Sequence, residues 1–176
     1  MGISSNEFLQ YVIQPTLRQL GVQSNSAEQL LLATAHHQSG LGKHLQFNNG
    51  IGVYGITERQ HIDVWDHYLA LDADLASQVR GMASQHEFPK APHLELATNL
   101  SYATAIAWMI YRSRKFYLPE SFTAQDLSKC WRECFLERPA CDKDTAEFVC
   151  GYQALVHSAL VQDEITQGTA TTSLAA

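Results

Sequence analysis

The segment that most constrains the fold of this chain is residues 26–56, where an apolar helix-forming stretch runs directly into a glycine-rich loop. Residues 26–35 read SAEQLLLATA, and their apolar side chains fall on most sides of a helix rather than on one stripe. Such a helix needs neighbouring elements all around it, so we expect it at the centre of the domain. The Gly and Asn residues that crowd positions 40–55 predict a loop, with room for one or two short strands near 51–56.

The rest of the chain alternates between helix-forming segments and short breaks. The spacing of apolar residues predicts about seven helices in total, over residues 5–20, 26–38, 58–70, 73–85, 93–112, 124–136 and 144–163. Pro15 should kink the first of these, because its ring removes a backbone donor. We therefore expect a mostly α, single-domain fold over residues 1–165, with the small polar residues 166–176 forming a disordered tail.

Several helix starts carry capping residues. Asn25 followed by Glu28 matches the capping-box pattern at the start of the central helix, and Thr123 followed by Asp126 opens a later one. Other helices are expected to start at Thr57, Asp72 and Asp142, because these side chains can accept a hydrogen bond from a backbone N–H of the first helical turn.

Charge and hydropathy limit the partners of the chain. Its 176 residues carry a formal charge of −6, and nucleic-acid binding depends on an excess of Lys and Arg, so we expect no nucleic-acid partner. No stretch approaches the roughly 20 apolar residues of a membrane span. The first ten residues lack the basic and apolar regions of a signal peptide, which predicts synthesis in the cytoplasm without one.

The four cysteines lie close together in the sequence, at Cys130, Cys134, Cys141 and Cys150. Cys130 and Cys134 share one helix face, and the simplest interpretation is a pair of small buried apolar residues. A disulfide, Cys134–Cys141 or Cys141–Cys150, is an alternative. A zinc site would need tighter Cys pairs or neighbouring His ligands, so we expect no metal and no cofactor.

Polar and aromatic residues cluster around the end of the central helix. The helix ends in His36, His37 and Gln38, and the loop and the helix after it add further candidates: Lys43, His44, Tyr54, Glu58, Asp63, Trp65 and Asp66. Such a cluster is typical of a cleft that binds a sugar polymer, with Tyr54 and Trp65 as stacking surfaces. A solvated helix end with a loop over it would give the same pattern.

Five blocks of the sequence carry a resemblance to a known family. In order they are SAEQLLLATA at 26–35, QSGLGKHLQ at 38–46, GIGVYGITERQHIDVWDHYL at 50–69, LATNLSYATAIAWMIYRSR at 96–114 and CWRECFLERP at 130–139. With these blocks the chain resembles phage-encoded lysozyme-like proteins related to goose-type lysozymes and lytic transglycosylases. The resemblance implies a lysozyme-like fold and a role on the glycan strand of peptidoglycan, in a virion or after release to the periplasm.

The chain differs from the family at the positions where the resemblance implies catalytic and substrate-positioning side chains. The resemblance implies a Glu general acid at Gln38, and a carboxamide cannot protonate a glycosidic oxygen near neutral pH. It also implies a Gln at Gly55 and a Tyr-Asn pair near Phe135 and Leu136, so three further polar groups are missing: two amides and a hydroxyl. The substrate-binding positions that it implies are Ser39, Tyr54, Gly55, Tyr102 and Phe135.

Two functions follow from these departures. The first is a peptidoglycan-degrading domain with weak or lost catalysis, in which Glu58 is the candidate substitute for the missing acid. The alternative is a non-catalytic protein on the same fold, either a virion structural component or a peptidoglycan-binding protein. In both, the expected partners are the glycan strand and other virion proteins.

Overall fold

The computed structural model describes residues 2–47 and 49–172, with side chains except at 47 and 160–172. Over this part the chain is mostly α-helical around one core, which confirms the predicted fold class. The helices are α1 (Ser5–Phe8), α2 (Gln14–Gln19), α3 (Asn25–Ser39), α4 (Glu58–His67), α5 (Ala73–Met82), α6 (Glu95–Thr98), α7 (Leu100–Ser113), α8 (Ala124–Cys134) and α9 (Asp142–Thr172). Three two-residue strands, β1 (Gln46–Phe47), β2 (Gly50–Ile51) and β3 (Ile56–Thr57), form an antiparallel sheet in that order.

Helix α3 is the centre of the domain, as its sequence predicts. Its buried residues lie on most of its sides, and it packs against α7, α8, α9 and the strand β1. Helix α7 is the second buried helix and also contacts α2, α4, α5 and α6. The other helices and the small sheet pack around these two helices.

Two buried tyrosines bond to threonine hydroxyls in the core: Tyr111 joins α7 to α3, and Tyr54 joins the loop between β2 and β3 to α7. Thr34 Oγ1 donates to the Leu30 carbonyl at 2.7 Å and therefore accepts from the Tyr111 hydroxyl, also at 2.7 Å. In the same way Thr104 Oγ1 donates to the Leu100 carbonyl at 2.7 Å and lies 3.1 Å from the Tyr54 hydroxyl. Each tyrosine hydroxyl is thus satisfied inside the core, which allows these large rings to be fully buried.

Capping explains where several helices start. The capping boxes Thr57–Gln60 and Thr123–Asp126 are both present, and Asp72 accepts from the Leu75 N–H at 3.0 Å. The capping box predicted from Asn25 is wrong. Ser24 caps α3 one residue earlier, accepting from the Ala27 N–H at 3.3 Å, because the Glu28 carboxylate instead accepts from the Gln14 side chain.

Two predicted helices differ from the structure in continuity. The segment 93–112 divides into α6 and α7, because the Asn99 side chain accepts from the Tyr102 N–H and starts a new helix. The helix predicted over 5–20 contains a π-helical segment, Leu9–Ile13, directly before α2, and Pro15 lies in the first turn of α2.

The last helix is longer than predicted. Helix α9 continues to Thr172, so the segment from 166, expected to be a disordered tail, is helical as far as that residue. Ala, Leu and Gln are frequent between 153 and 170, and these residues favour helix. Residues 173–176 lie outside the described part. Among the described helices none is long and apolar enough to cross a membrane.

The cysteines are all free thiols. Cys130 and Cys134 are buried on the inner face of α8, as their spacing predicts, and burial raises the pKa of both thiols to about 11. Cys141 and Cys150 are exposed, so neither of the alternative disulfides forms in this structure.

Ser39 holds the loop that follows α3. Its hydroxyl donates to the Val53 carbonyl at 2.6 Å and accepts from the Gly42 N–H at 2.9 Å. Gly40 ends the helix at a φ of 60°, a left-handed conformation that favours glycine, and its N–H returns to the His36 carbonyl. The helix end and the loop are therefore joined at one buried hydroxyl.

We predict that Ser39→Ala lowers the free energy of unfolding by about 1–3 kcal/mol, because it leaves the Val53 carbonyl and the Gly42 N–H without this partner. Denaturant unfolding measures this loss. The matched control is Ser77→Ala on the exposed side of α5, which should change stability by no more than about 0.5 kcal/mol. Equal effects of the two substitutions would contradict this role of Ser39.

Candidate functional site

A cleft of about 260 Å³ lies where the end of α3 meets the start of α4 and the segment after α8. It is lined by His37, Gln38, Gly55, Thr57, Gln60, Trp131, Phe135, Leu136, Glu137 and Arg138. These residues come from three regions of the sequence, at 37–38, 55–60 and 131–138. Three of the positions singled out from sequence, Gln38, Gly55 and Phe135, are therefore neighbours.

Gln38 and Gly55 face each other in the cleft. A Cβ added to Gly55 would lie 3.5 Å from Gln38 Cβ and 3.6 Å from Gln38 Oε1. Gly55 also has a φ of 57°, which disfavours any larger residue there. The half-buried Gln38 amide thus borders a space that a side chain at position 55 would partly fill.

Gln60 fixes the wall of the cleft that follows α8. Its Nε2 donates to the Phe135 carbonyl at 2.7 Å, and its Oε1 accepts from the Thr57 N–H at 3.0 Å. One buried amide therefore caps α4 and holds the segment after α8 against it. The Thr57-x-x-Gln60 pattern is visible in the sequence, but its link to residue 135 depends on tertiary packing.

Glu137 is a cleft residue that the sequence interpretation missed. Its Oε2 accepts from the Thr57 hydroxyl at 2.6 Å, its Oε1 lies 3.9 Å from Arg59 Nε, and its side chain is 34% exposed. Among the described residues that line the cleft, it carries the only carboxylate. No motif marks it, because it follows the end of a helix in an irregular segment.

Arg138, next along the cleft wall, is already paired. Its two terminal nitrogens donate to the two oxygens of Asp144 at 2.8 and 2.6 Å. This bidentate pair holds the pKa of the Asp144 carboxyl well below its usual range. The pair anchors the segment after α8 to the start of α9.

Aromatic rings form the floor of the cleft beside α3. The His37 ring meets the edge of Trp131 at 4.5 Å between centroids, and Trp131 stacks on Phe148 at 5.1 Å. Burial lowers the pKa of His37, so its neutral form is favoured at neutral pH. The indole N–H of Trp131 is buried and has no hydrogen-bond partner within the described part of the chain.

Glu58 lies outside the cleft. Its side chain is 69% exposed, and its Oε1 lies 3.1 Å from His93 Nε2 on another face of α4. This position does not suit the substitute-acid role that the sequence suggested, because a general acid must reach the scissile oxygen beside Gln38. Asp63 and Asp66 are exposed on the same helix and also lie outside the cleft.

Three of the expected substrate-binding residues are core residues instead. Tyr54 and Tyr102 are fully buried, with their hydroxyls bonded inside the protein, and Ser39 is 3% exposed. The aromatic and apolar sequence around them is equally typical of core packing, which is the role that the fold gives them. Gly55 and Phe135 do line the cleft.

A chain of hydrogen bonds runs from the core to Glu58. Because a carboxylate only accepts, His93 donates to Glu58 through Nε2 and accepts at Nδ1 from His61 Nδ1, 2.8 Å away. His61 Nε2 then accepts from the Tyr102 hydroxyl at 2.6 Å, and Tyr102 accepts from the Trp65 indole at 2.9 Å. With both histidines neutral, each donor and acceptor in this series of hydrogen bonds has a partner.

The described residues contain no cluster of three or more His, Cys, Asp or Glu side chains arranged to hold a metal ion.

We predict that the protein loses stability as the pH falls from about 6.5 to 4. Burial, with a smaller effect of His93, lowers the pKa of His61 to about 4, so the unfolded chain binds a proton at a higher pH than the folded one. The stabilisation is complete above pH 6.5 and is lost as the pH falls through this window. The loss should be about 3 kcal/mol.

Denaturant unfolding of wild type and His61→Gln at several pH values measures this effect. The variant should lack most of the decline between pH 6.5 and 4, although its stability at pH 7 is lower because its polar neighbours lose a partner. His67→Gln, at an exposed position of the same helix, should keep the wild-type pH dependence. An unchanged decline in His61→Gln would rule out His61 as its source.

Comparisons with known proteins identify no relative of this chain: no family model, no curated protein and no solved structure matches it. Its function is therefore inferred from the residues of the cleft and from the resemblance in its sequence.

Proposed function

We propose that this protein binds the glycan strand of peptidoglycan in the cleft at the end of α3 and has weak or no glycosidase activity. The observation that carries the proposal is the meeting of Gln38, Gly55, Phe135 and Leu136 in one cleft. The resemblance to lysozyme-like proteins points to these four positions in three distant parts of the sequence, and all four line the same cleft. If the resemblance were due to chance, there would be no reason for these positions to be neighbours.

The chemistry of the cleft favours binding over cleavage. A glycosidase needs a protonated acid next to the leaving oxygen, and the group in that position here is the Gln38 amide. Glu58 is on another face, and Glu137 accepts from Thr57 beside the guanidinium of Arg59. In the structure Glu137 is thus a hydrogen-bond acceptor for the Thr57 hydroxyl.

The same groups match a sugar as a ligand. The Gln38 amide both donates and accepts, the Glu137 carboxylate accepts, and the half-buried Leu136 supplies apolar surface. Pockets for drug-sized ligands measure about 300–1,000 Å³, so a cleft of about 260 Å³ suits a single sugar unit. Because the cleft is open to solvent, a longer strand can extend beyond it at both ends.

The biological setting is part of the proposal and rests on the sequence resemblance alone. By that resemblance the protein is phage-encoded, and it would hold peptidoglycan as a component of a virion or during release from the host. A non-catalytic lysozyme-like protein of this kind would attach a particle to the cell wall without cutting it.

We predict that the purified chain co-sediments with peptidoglycan sacculi and releases no soluble fragments detectable by mass spectrometry. Gln38→Leu, which removes the amide, should weaken sedimentation by about fivefold, because a hydrogen bond of this kind contributes about 1 kcal/mol. Gln78→Leu, on the exposed side of α5, is the matched control and should bind like wild type.

Gln38→Glu should bind sacculi and remain a poor enzyme. Loss of one positioning group typically costs about 10²–10³ in rate, and Gly55 and Leu136 still lack the polar groups of the family. Rapid fragment release by the unmodified chain would overturn the non-catalytic part of the proposal. A folded chain that does not sediment with sacculi would overturn the binding part.

A further inference from the structure

We propose that the cleft selects an uncharged N-acetylated sugar, such as an N-acetylglucosamine unit, and that Glu137 rejects the carboxylate of N-acetylmuramic acid. This inference rests on the proposed glycan binding and names the sugar that the cleft accepts. Peptidoglycan alternates the two sugars, which differ by a lactyl ether ending in a carboxylate, so a site on the strand must discriminate between them or tolerate both.

The position of Glu137 is fixed by the residues around it. Gln60 ties the Phe135 carbonyl to α4 at 2.7 Å, and the Thr57 hydroxyl donates to Glu137 Oε2 at 2.6 Å. Thr57 therefore holds the carboxylate, and Gln60 holds the backbone two residues before it. A charge that cannot swing away from an incoming anion discriminates more strongly than a mobile surface residue.

The cleft lacks a free cation that would attract a second carboxylate. Among its described lining residues, Arg138 is the one guanidinium, and both of its terminal nitrogens are engaged by Asp144. Arg59 Nε lies 3.9 Å from Glu137 Oε1, and its side chain is 91% exposed, so solvent screens its charge. His37 is favoured as the neutral ring because burial lowers its pKa. Arg59 and Arg138 each already face a carboxylate, so a lactyl carboxylate would meet Glu137 without an unpaired guanidinium among these residues.

An uncharged acetamido sugar meets complementary groups instead. Its hydroxyls and amide N–H can donate to the Glu137 carboxylate, and such bonds to an ionised acceptor are stronger than neutral ones. The Gln38 side chain can donate to the acetamido carbonyl, while the half-buried Leu136 offers apolar surface for the methyl group. The cleft therefore favours ligands with hydrogen-bond donors and disfavours a ligand that carries a second negative charge.

Three methyl glycosides test the proposal by NMR shift titration of the full chain: N-acetylglucosamine, N-acetylmuramic acid and the carboxamide of N-acetylmuramic acid. The carboxamide has the bulk of the muramyl sugar without its charge. We expect the acid to bind about tenfold more weakly than the other two at low ionic strength, since like charges a few ångströms apart repel strongly in a partly desolvated site. Added salt should reduce the difference.

Glu137→Gln supplies the decisive comparison. It removes the charge and keeps an oxygen for the Thr57 hydroxyl, so the difference between the acid and the carboxamide should shrink to about twofold or less. Glu133→Gln makes the same charge change at an exposed position of α8 outside the cleft lining and should keep the wild-type preference. Amide spectra of both variants report whether the fold is retained.

The outcomes separate this inference from the proposed function. If the acid binds as well as the carboxamide, or if Glu137→Gln keeps the preference, the role of Glu137 is overturned while glycan binding stands. If the carboxamide binds as weakly as the acid, the cleft selects by size, which also overturns it. If none of the three sugars binds and the chain does not sediment with sacculi, both proposals fail.

Discussion

The burial of α3 on most of its sides is the constraint on which the rest of this structure depends. A helix that is apolar all round must be enclosed, so α7, α8 and α9 pack against it. Its C-terminal end, however, carries backbone carbonyls that need partners. Gly40 and the Ser39 hydroxyl meet this need by folding the chain back over the helix end, and the cleft forms beside that turn.

The cleft is assembled by polar groups that also stabilise the fold. Gln60 belongs to a helix cap and at the same time holds the backbone at Phe135, so the start of α4 and the end of α8 keep a fixed separation. The Arg138–Asp144 pair holds the next part of the wall. A rigid wall of this kind can orient a ligand, and it needs no acid to do so.

Gln38 and Glu137 line the same cleft from different segments of the chain, one at the end of α3 and one after α8. Glu137 is engaged by the Thr57 hydroxyl and is a hydrogen-bond acceptor there. Position thus matters more than composition, because the same residue type in another location performs different chemistry.

The sequence determined the mostly helical fold, the central position of α3 and the helix caps at Thr57 and Thr123, because these depend on local periodicity and short-range hydrogen bonds. It also singled out Gln38 and Gly55 as candidate site residues, through resemblance. The Ser24 cap of α3 was missed, since the Glu28 carboxylate accepts from Gln14, fourteen residues earlier in the sequence, and not from the helix cap.

Only the tertiary structure decided which polar and aromatic residues face the cleft. Tyr54 and Tyr102 have the composition of a sugar-stacking surface, yet they are buried because threonine and histidine partners exist inside the core. Glu58 and Glu137 are both acidic residues at helix boundaries, and packing alone directs one to His93 and the other to the cleft. Local patterns cannot supply this information, because the partners are 35 to 80 residues away along the chain.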